Sequence, residues 1–210
     1  FGTNFGLNRF DGIQIKIYKA DRNDSTMLTY NSISEIQEDV NGDLWIRGNE
    51  NYLIYDIRSE KFKRNLSSVL EKLNIHFNPT LVEIDKKKNY YFYHPNKGVF
   101  KYDTSSKKLR KFTQDDNGKK LSRGTIIKIR VVDNAFWVLH QSGLIERMNE
   151  KTNTVDFRNN FTQNISDGST LQKSLYIDNE GCPWVFPGVN DKGALFYDFS
   201  KASWVYFGAN

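Results

Sequence analysis

One predicted hairpin decides the fold of this chain: Ile36-Gln-Glu-Asp-Val-Asn-Gly-Asp-Leu-Trp-Ile46. Residues 33–38, Ile-Ser-Glu-Ile-Gln-Glu, combine apolar and polar side chains, and we interpret them as a half-buried strand. The Asn41-Gly42 pair after Asp39 is expected to supply the positive φ angles of a tight hairpin turn. A second apolar segment follows this turn, and two further ones come next. The pattern predicts four short strands, at residues 33–38, 44–46, 52–55 and around Phe62.

The same pattern recurs along the whole chain. An aromatic residue stands in the second predicted strand of each copy, and successive copies are 46, 46 and 47 residues apart. A turn residue, acidic in all copies but one, recurs at intervals of 45, 47, 46 and 49 residues. The aromatic positions are Trp45, Tyr91, Trp137 and Trp184, and the turn positions are Asp11, Asp56, Asp103, Asn149 and Asp198. Two independent series with one period indicate a structural repeat.

Four strands in each repeat of about 46 residues are typical of a β-propeller blade. We therefore predict an all-β chain of β-propeller blades, with four full four-stranded antiparallel blades and a partial N-terminal blade. The predicted segment covers residues 1–210, with the partial blade at 1–18 and full blades at about 32–64, 80–112, 125–158 and 173–207. The first copy would place its strand aromatic before residue 1, so we expect a segment of a larger propeller. A short helix is predicted at residues 67–73, with Ser67 or Ser68 as its N-cap.

The composition fits a globular, β-rich protein and narrows its partners. The 15 Phe, 11 Tyr and 4 Trp residues suit half-buried pleated surfaces. The basic residues behind the net charge of +5 lie mostly in short loop clusters, such as residues 86–88, so we expect no direct nucleic-acid partner. Cys182 is the only cysteine, which excludes an internal disulfide and a zinc ribbon. The longest apolar run, residues 135–139, is far shorter than a membrane-spanning helix.

The sequence offers little catalytic or metal-binding chemistry. Neither G-x-G-x-x-G nor G-x-x-x-x-G-K-[ST] occurs, which excludes the common nucleotide-binding loops. Glu38 and Asp39 are adjacent carboxylates, but strand neighbours point to opposite faces, so turn formation explains them better than acid–base catalysis. The segment that starts at Asp39 resembles the beginning of a calcium loop, but it lacks the closing Glu. We predict no catalytic residue, no cofactor and no metal.

Two histidines occupy equivalent positions in adjacent copies. His94 and His140 each lie three residues after the strand aromatic, at the end of the second predicted strand. Propellers usually bind ligands on the face that this strand end shares with the connections between blades. One hypothesis is therefore a ligand-contact rim that includes Arg47, His94 and His140. The alternative is that they are polar loop residues with ordinary hydrogen bonds. A metal site would need a third ligand, and His76 lies elsewhere in the repeat.

The first two copies resemble a known repeat family. Residues 1–12, Phe-Gly-Thr-Asn-Phe-Gly-Leu-Asn-Arg-Phe-Asp-Gly, are similar to the phrase F-G-T-x-x-G-L-x-R-F-D-G, and residues 36–46 are similar to I-x-E-D-x-x-G-x-L-W-I. Both phrases are hallmarks of the two-component regulator propeller repeat. The later copies depart from this pattern, because Tyr91 replaces Trp and Met148-Asn149 replaces the aromatic–Asp pair.

That repeat fills the periplasmic sensor region of Bacteroides-type hybrid two-component histidine kinases. The resemblance implies a periplasmic segment of an inner-membrane protein, with the kinase core, the receiver and the DNA-binding output elsewhere in the parent. It also implies a non-catalytic sensor that binds or relays a ligand signal, commonly a glycan-derived oligosaccharide, to control transcription. The remaining blades of the parent would be its neighbours. A segment of a propeller leaves strand edges unpaired, so we expect self-association.

Two other function classes fit the predicted fold. A propeller enzyme, such as a lyase or a glycosidase, would need His, Glu or Arg side chains that converge at the channel mouth, and only His94 and His140 hint at this. A WD-repeat-like interaction scaffold would need a large exposed apolar or charged patch. The positions of these side chains in the folded chain distinguish the classes.

Overall fold

The residues that the structure describes form five β-sheets, and each sheet is built from strands that are consecutive in the sequence. The structure, a computed structural model, describes residues 1–49, 51–115, 118–164, 174–186 and 193–208. These residues are nearly all in strands and turns, apart from one six-residue helix and one short 3₁₀ helix. The strands of each sheet are hydrogen-bonded in chain order. The predicted all-β class is confirmed, as are the four four-stranded sheets and the partial sheet before them.

The strand bounds are as follows. The N-terminal sheet contains β1 Gly2–Thr3, β2 Gly6–Phe10 and β3 Ile15–Tyr18. Sheet 1 contains β4 Glu35–Glu38, β5 Leu44–Gly48, β6 Asn51–Asp56 and β7 Lys61–Lys63. Sheet 2 contains β8 Leu81–Ile84, β9 Tyr90–His94, β10 Gly98–Asp103 and β11 Lys108–Phe112. Sheet 3 contains β12 Ile126–Val132, β13 Ala135–His140, β14 Leu144–Asn149 and β15 Thr154–Asn160, and the 3₁₀ helix Phe161–Asn164 follows it. Sheet 4 contains β16 Ser174–Ile177, β17 Pro183–Phe186, β18 Gly193–Asp198 and β19 Ser203–Gly208.

The chain divides into two compact units. Unit 1 consists of Phe1–Thr80, Lys86–Tyr90 and Tyr102–Leu109. Unit 2 consists of Leu81–Asp85, Tyr91–Lys101 and Arg110–Asn210. An apolar cluster of unit 1 combines residues of the N-terminal sheet, of sheet 1 and of the segment between them: Leu7, Tyr18, Leu28, Tyr30, Ile33, Ile46, Leu53, Tyr55 and Phe62.

Two kinds of contact connect the N-terminal sheet to sheet 1. The rings of Tyr18 and Tyr55 meet edge to face with centroids 5.3 Å apart, and their hydroxyl oxygens are 2.7 Å apart. Glu60, in the turn between β6 and β7, accepts hydrogen bonds from Arg9 and Lys16 at 2.5 Å each. Since these ionic side chains are largely exposed, they stabilise the contact less than the buried rings do.

Unit 2 contains strands that are buried on both faces. Tyr91, Phe92 and Tyr93 in β9 are each 0% exposed, and Phe136 to Leu139 in β13 are at most 2% exposed. Successive residues of a strand point to opposite faces, so both faces of each strand are covered. One cluster joins residues of sheets 2 and 3: Leu81, Tyr91, Tyr93, Val99, Phe112, Leu121, Ile126, Ile129, Phe136, Val138 and Met148.

A buried carboxylate organises the first hairpin turn of sheet 1. Asp39 Oδ1 accepts the backbone N–H groups of Asn41 and Asp43 at 2.8 and 3.1 Å, and Oδ2 accepts the Trp45 indole N–H at 3.2 Å. Asp39 is only 4% exposed, so these donors replace water. Of the Asn-Gly pair, only Gly42 has a positive φ, 82°. The predicted hairpin turn is present, and the Asp39 N–H closes it on the Asp43 carbonyl at 2.9 Å, but the expectation that Asn41 also has a positive φ is wrong.

The same arrangement recurs in sheet 4 but not in sheet 3. Asp178 Oδ2 accepts the Trp184 indole N–H at 2.7 Å. In sheet 3 the turn consists only of residues 133–134, so the turn carboxylate lies four rather than six positions before the tryptophan. Trp137 is 2% exposed, and the Arg147 guanidinium lies over its ring at 5.8 Å from the centroid. The strand aromatics are thus held by different polar partners in different sheets.

The recurrent turn residues cap their turns through their side chains. Asp56 Oδ1 accepts the backbone N–H groups of Arg58 and Ser59 at 3.1 and 3.0 Å. In sheet 4, hydrogen bonds from Ser200 and then Lys201 lower the pKa of Asp198 to about 2. Asp11, Asp103 and Asn149 likewise accept a backbone N–H from a residue two or three positions later in the chain. This local interaction favours a turn wherever it occurs.

Helix α1, Ser67–Lys72, lies where the sequence predicted a helix, but its N-cap differs. The N-cap is Leu66, and it makes no side-chain cap hydrogen bond. The Asn65 side chain instead accepts the Ser67 N–H at 2.9 Å. The prediction of Ser67 or Ser68 as N-cap is therefore wrong, because Asn65 already satisfies a free N–H of the first turn. Among the described residues, no helix has the length and apolarity needed to cross a membrane.

We expect Asp39→Asn to destabilise unit 1. The substituted amide keeps one oxygen for the backbone N–H groups, but its NH₂ group cannot accept the Trp45 indole N–H. The loss of this charge-assisted bond should lower the free energy of unfolding by about 1–2 kcal/mol. Urea denaturation measures the change. Asp133→Asn, at the exposed turn of sheet 3, is the matched control and should change stability by less than about 0.5 kcal/mol. Equal effects of the two substitutions would contradict the role of Asp39.

Candidate functional site

His94 ends β9 and organises the turn that leads into β10. Its Nδ1 accepts the backbone N–H of Asn96 at 3.2 Å, and its carbonyl accepts the N–H of Lys97 at 3.0 Å. The imidazole is half-buried. His94 therefore fixes the conformation of residues 95–97, which form one side of a cavity.

This cavity, which we name the lysine–arginine cavity, has a volume of about 360 Å³ and belongs to unit 2. Three separate segments line it: the β9–β10 turn, the end of β11 with the residues after it, and the residues just before β12. The described lining residues that carry a charge are Lys97, Lys111 and Arg123. Asn96, Thr113 and Gln114 add amide and hydroxyl groups.

Backbone constraints hold the lining segments in place. Gly98 has a φ of +91°, and a Cβ there would lie 2.7 Å from the Phe112 carbonyl oxygen, so only glycine fits. The Gln114 amide nitrogen donates to the carbonyls of Ser122 and Gly124 at 2.8 and 3.0 Å. The residues before β12 are thereby tied back to the end of β11.

His140 supports this region from inside. It is 2% exposed, and its Nε2 lies 2.8 Å from Glu146 Oε2. Glu146 is fully buried and accepts the Ser122 N–H and Oγ–H, both at 2.9 Å, and the Arg158 Nε–H at 2.5 Å. A Cβ at Gly124 would come within 3.5 Å of His140 Nδ1. His140 therefore lies behind the cavity wall, where it contacts Glu146 rather than solvent.

The sequence interpretation did not include Glu146, although the repeat contains a signal for it. Glu146 lies three residues before the recurrent turn position. The residues at the same position in the other full copies are Leu53, Phe100 and Leu195. A carboxylate at a position that is otherwise apolar indicates a buried polar network. Burial raises the pKa of Glu146, but hydrogen bonds from His140, Ser122 and Arg158 outweigh that effect and hold it below its usual value.

Arg47, the third residue of the predicted rim, lies in unit 1. Its guanidinium is 3.7 Å from Glu35 and 5.8 Å from the centroid of the Tyr52 ring. Tyr52 lines a second cavity of about 480 Å³, which we name the asparagine cavity after Asn51, Asn65 and Asn78 in its lining.

The predicted rim residues therefore have three different environments. Arg47, near the end of β5, pairs with Glu35 of β4. His94 shapes the turn beside the lysine–arginine cavity, and His140 is buried in the interior of unit 2. Neither imidazole is among the described lining residues of that cavity. In the part of the chain that the structure describes, no group of three or more His, Cys, Asp or Glu side chains is arranged to hold a metal ion.

Comparison with known proteins identifies the fold. No protein-family model matches the chain, and no curated protein matches its sequence. The extracellular domain of a one-component system from B. thetaiotaomicron is similar in structure, with 20% identity and a TM-score of 0.63, over 100% of this chain and 29% of that chain. The extracellular domain of a hybrid two-component system from the same organism has 16% identity and a TM-score of 0.59, over 99% of this chain and 26% of that chain.

A third similar structure is an enzyme. A catalytically inactive virginiamycin B lyase from Staphylococcus aureus, solved with quinupristin, has 13% identity and a TM-score of 0.54, over 96% of this chain and 62% of that chain. At these identities the likeness establishes the fold, and the predicted β-propeller fold is confirmed. The chain spans less than a third of each B. thetaiotaomicron domain and less than two thirds of the lyase.

We expect Glu146→Gln to destabilise unit 2 and to reduce its sensitivity to acid. Gln keeps the shape but removes the charge that His140 and Arg158 face, which should lower the free energy of unfolding by about 2–3 kcal/mol near pH 6. The folded-state pKa of Glu146 lies below the usual value of 4.5. Its contribution is therefore complete above pH 4.5 and is lost as the pH falls through the folded-state pKa.

Urea denaturation between pH 6 and pH 3 measures this effect. The stability difference between the wild type and Glu146→Gln should shrink steadily below about pH 4.5. Glu180→Gln, at an exposed turn of sheet 4, is the control and should leave both the stability and its pH dependence close to those of the wild type. A difference that stays constant with pH would show that the charge of Glu146 makes no contribution.

Proposed function

We propose that this chain is a non-catalytic sensor module, a periplasmic segment of a membrane-anchored hybrid two-component histidine kinase. The observation that carries the proposal is the similarity of the whole chain to two extracellular domains of bacterial signalling systems. The repeat phrases at residues 1–12 and 36–46 support the same assignment. In this proposal the kinase, receiver and DNA-binding parts lie elsewhere in the parent, and the signal controls transcription.

The ligand in this proposal is a small molecule such as an oligosaccharide released from a glycan. The lysine–arginine cavity supports a binding role, because its volume falls in the range of small-molecule sites. Lys97 and Lys111 belong to sheet 2, whereas Arg123 precedes sheet 3. A ligand that contacts both groups favours one arrangement of these neighbouring blades over others, and only such a difference in affinity can shift a conformational equilibrium.

A propeller enzyme is the second candidate, because the fold is also similar to that of a lyase. The buried residues His140 and Glu146 are of the types that act as general acid and general base in enzymes. However, both side chains are enclosed, with 2% and 0% exposure, so a substrate cannot reach them without a change of the cavity wall. The enclosed geometry therefore favours the sensor over the enzyme.

The sensor proposal predicts binding without turnover. We expect at least one oligosaccharide from a panel of glycan-derived fragments to raise the melting temperature of the chain, because a ligand at 100 times its Kd stabilises the folded state by about 2.7 kcal/mol. The same mixtures, analysed by mass spectrometry after incubation, should contain the oligosaccharide unchanged. Repeated bond cleavage by the purified chain would instead establish the enzyme.

The N-terminal sheet presents an uncovered apolar surface. Phe5 is 80% exposed and Ile13 is 88% exposed, and Phe10, Ile15 and Ile17 are more than half exposed. Exposed apolar side chains in such number mark an interaction surface. In this proposal the remaining blades of the parent propeller cover this surface.

We expect the isolated chain to self-associate through this apolar surface. Sedimentation equilibrium should show an apparent mass that increases with protein concentration. The double variant Phe5→Ser/Ile13→Ser should shift the association to at least tenfold higher concentration, because it removes two of the most exposed apolar side chains. Lys86→Ser/Lys87→Ser, at an exposed polar turn, is the control. A wild-type chain that stays monomeric at all concentrations contradicts the expectation.

A further inference from the structure

We infer that one face of sheet 4 is a docking surface for a second copy of this chain. This aromatic face is defined by Tyr176, Trp184, Phe186, Phe196 and Phe207. The surface that it binds is the uncovered apolar face of the N-terminal sheet in the second copy, so the two copies associate head to tail. This association is independent of the proposed sensor function, because neither face belongs to a proposed ligand site.

The strand register places these aromatic residues on the same side of sheet 4. Tyr176 is directly opposite Trp184, and Trp184 is directly opposite Phe196, with their rings stacked at 4.8 Å between centroids. Phe186 lies two residues after Trp184 and therefore shares its face, and the Phe207 ring meets the Trp184 ring at 6.1 Å. Tyr176, Phe186 and Phe207 are 54%, 45% and 68% exposed. Large exposed aromatic side chains that adjoin one another mark an interaction surface.

The opposite face of sheet 4 is covered. Leu175, Val185 and Leu195 are at most 2% exposed, and they pack in one cluster with Trp137 and Leu139 of sheet 3. Sheet 4 therefore has one face that is buried against its predecessor and one that is not.

In the preceding sheets, the face that carries the recurrent strand aromatic is covered by the sheet that follows. Trp45 and Tyr91 are 1% and 0% exposed, and their rings lie 5.7 Å from those of Tyr90 and Phe136 in the following sheets. The strand aromatic of sheet 3 packs against sheet 4 in the same way. Trp184 occupies the equivalent position of sheet 4. The aromatic face is thus the one that a following sheet covers elsewhere in the chain.

The N-terminal sheet lacks the reciprocal contact. Tyr55 and Phe62 of sheet 1 pack against the sheet before them and are 2% and 3% exposed. The equivalent residues of the N-terminal sheet are Phe10 and Ile17, which are 60% and 55% exposed. Ile15 is directly opposite Phe10 and is 57% exposed. The face with which a sheet covers its predecessor is therefore uncovered here.

The two uncovered faces are the two halves of one repeated interface. A second copy whose N-terminal sheet lies on the aromatic face reproduces the contact that successive sheets make within the chain. Two aromatic faces, or two N-terminal faces, would not reproduce it. The interface is therefore heterologous, and each added copy presents a free aromatic face to the next.

The charges of the two faces permit this contact. In β2 and β3, Asn8 is the polar side chain that shares the face of Phe10 and Ile17, and no charged residue of these strands lies there. The aromatic face carries Asp198, whose carboxylate already accepts the Ser200 N–H and pairs with Lys201 at 3.1 Å. Association therefore buries no unpaired charge, which would otherwise oppose it.

The size of the faces predicts a weak association. Four strands of four to six residues, about 4.8 Å apart and with about 3.4 Å per residue, give a face of about 20 by 20 Å. Two such faces together bury on the order of 800 Å², which is less than the roughly 1,200 Å² of a stable complex. We therefore expect a dissociation constant on the order of 50 µM.

Complementation between two variants tests the head-to-tail contact. Phe10→Thr/Ile17→Thr alters the N-terminal face and Tyr176→Thr/Phe207→Thr alters the aromatic face, while threonine keeps a preference for strands. In sedimentation equilibrium at up to about 200 µM, the average mass of the wild type should rise with concentration. Each variant alone should need at least tenfold higher concentration to associate. An equimolar mixture should form a pair of one copy each, because each variant keeps the face that the other lacks.

A matched control removes apolar side chains outside both faces. Val40 and Ile57 are 57% and 49% exposed in turns of sheet 1, and Val40→Thr/Ile57→Thr should leave the association within twofold of the wild type. Unchanged far-UV circular dichroism and an unchanged urea midpoint establish that each variant is folded. For a double variant that unfolds, Ile15→Thr or Phe186→Thr takes its place, with an expected loss of at least threefold.

Four outcomes overturn the inference. They are a wild type that stays monomeric, a face variant that alone associates as strongly as the wild type, a mixture that stays monomeric, and a control that loses as much as the face variants. Association of the Phe10→Thr/Ile17→Thr variant with itself would establish a pairing of like faces instead. None of these outcomes affects the sensor function, which is tested separately by ligand binding.

Discussion

The structure depends on the need to cover both faces of its β-sheets. In β9 and β13 several consecutive residues are fully buried, which requires apolar contacts on both sides of the strand. A four-stranded sheet cannot cover its own faces, so each must pack against a neighbouring layer. In the N-terminal sheet, Ile15 and Ile17 of β3 lie on one face of the strand and are more than half exposed, so this face lacks such a layer. The aromatic excess of the sequence reflects this packing, because large rings bury the most area per residue.

Dense packing also governs where charge is tolerated inside unit 2. The buried Glu150 carboxylate accepts hydrogen bonds from the Tyr91 hydroxyl and from Lys101, and its carbonyl accepts one from Arg110 at 2.6 Å. Glu146 is satisfied in a similar way. A buried carboxylate without such partners would be strongly destabilising. Each glutamate therefore connects residues of three other segments, and its removal affects the geometry of all of them.

The features predicted from the sequence are the ones that local chemistry determines. The side-chain cap of Asp56 acts within a few residues, so a single copy of the repeat is enough to reveal it. The strand predicted at residues 33–38 is present but shorter, because it starts at Glu35. The burial of His140 was not predictable in the same way, because it depends on Glu146 in the next strand and on Arg158 in the one after it. A lining shared by Lys97, Lys111 and Arg123 likewise exists only after three distant segments have folded.

The contrast between sheets and loops explains why the cavity can differ chemically from the rest of the molecule. A cation within β9 or β13 would have to be desolvated, whereas Lys97, Lys111 and Arg123 remain in contact with water. Sites of this kind belong on loops carried by a rigid scaffold, where substitutions change recognition without disturbing the core.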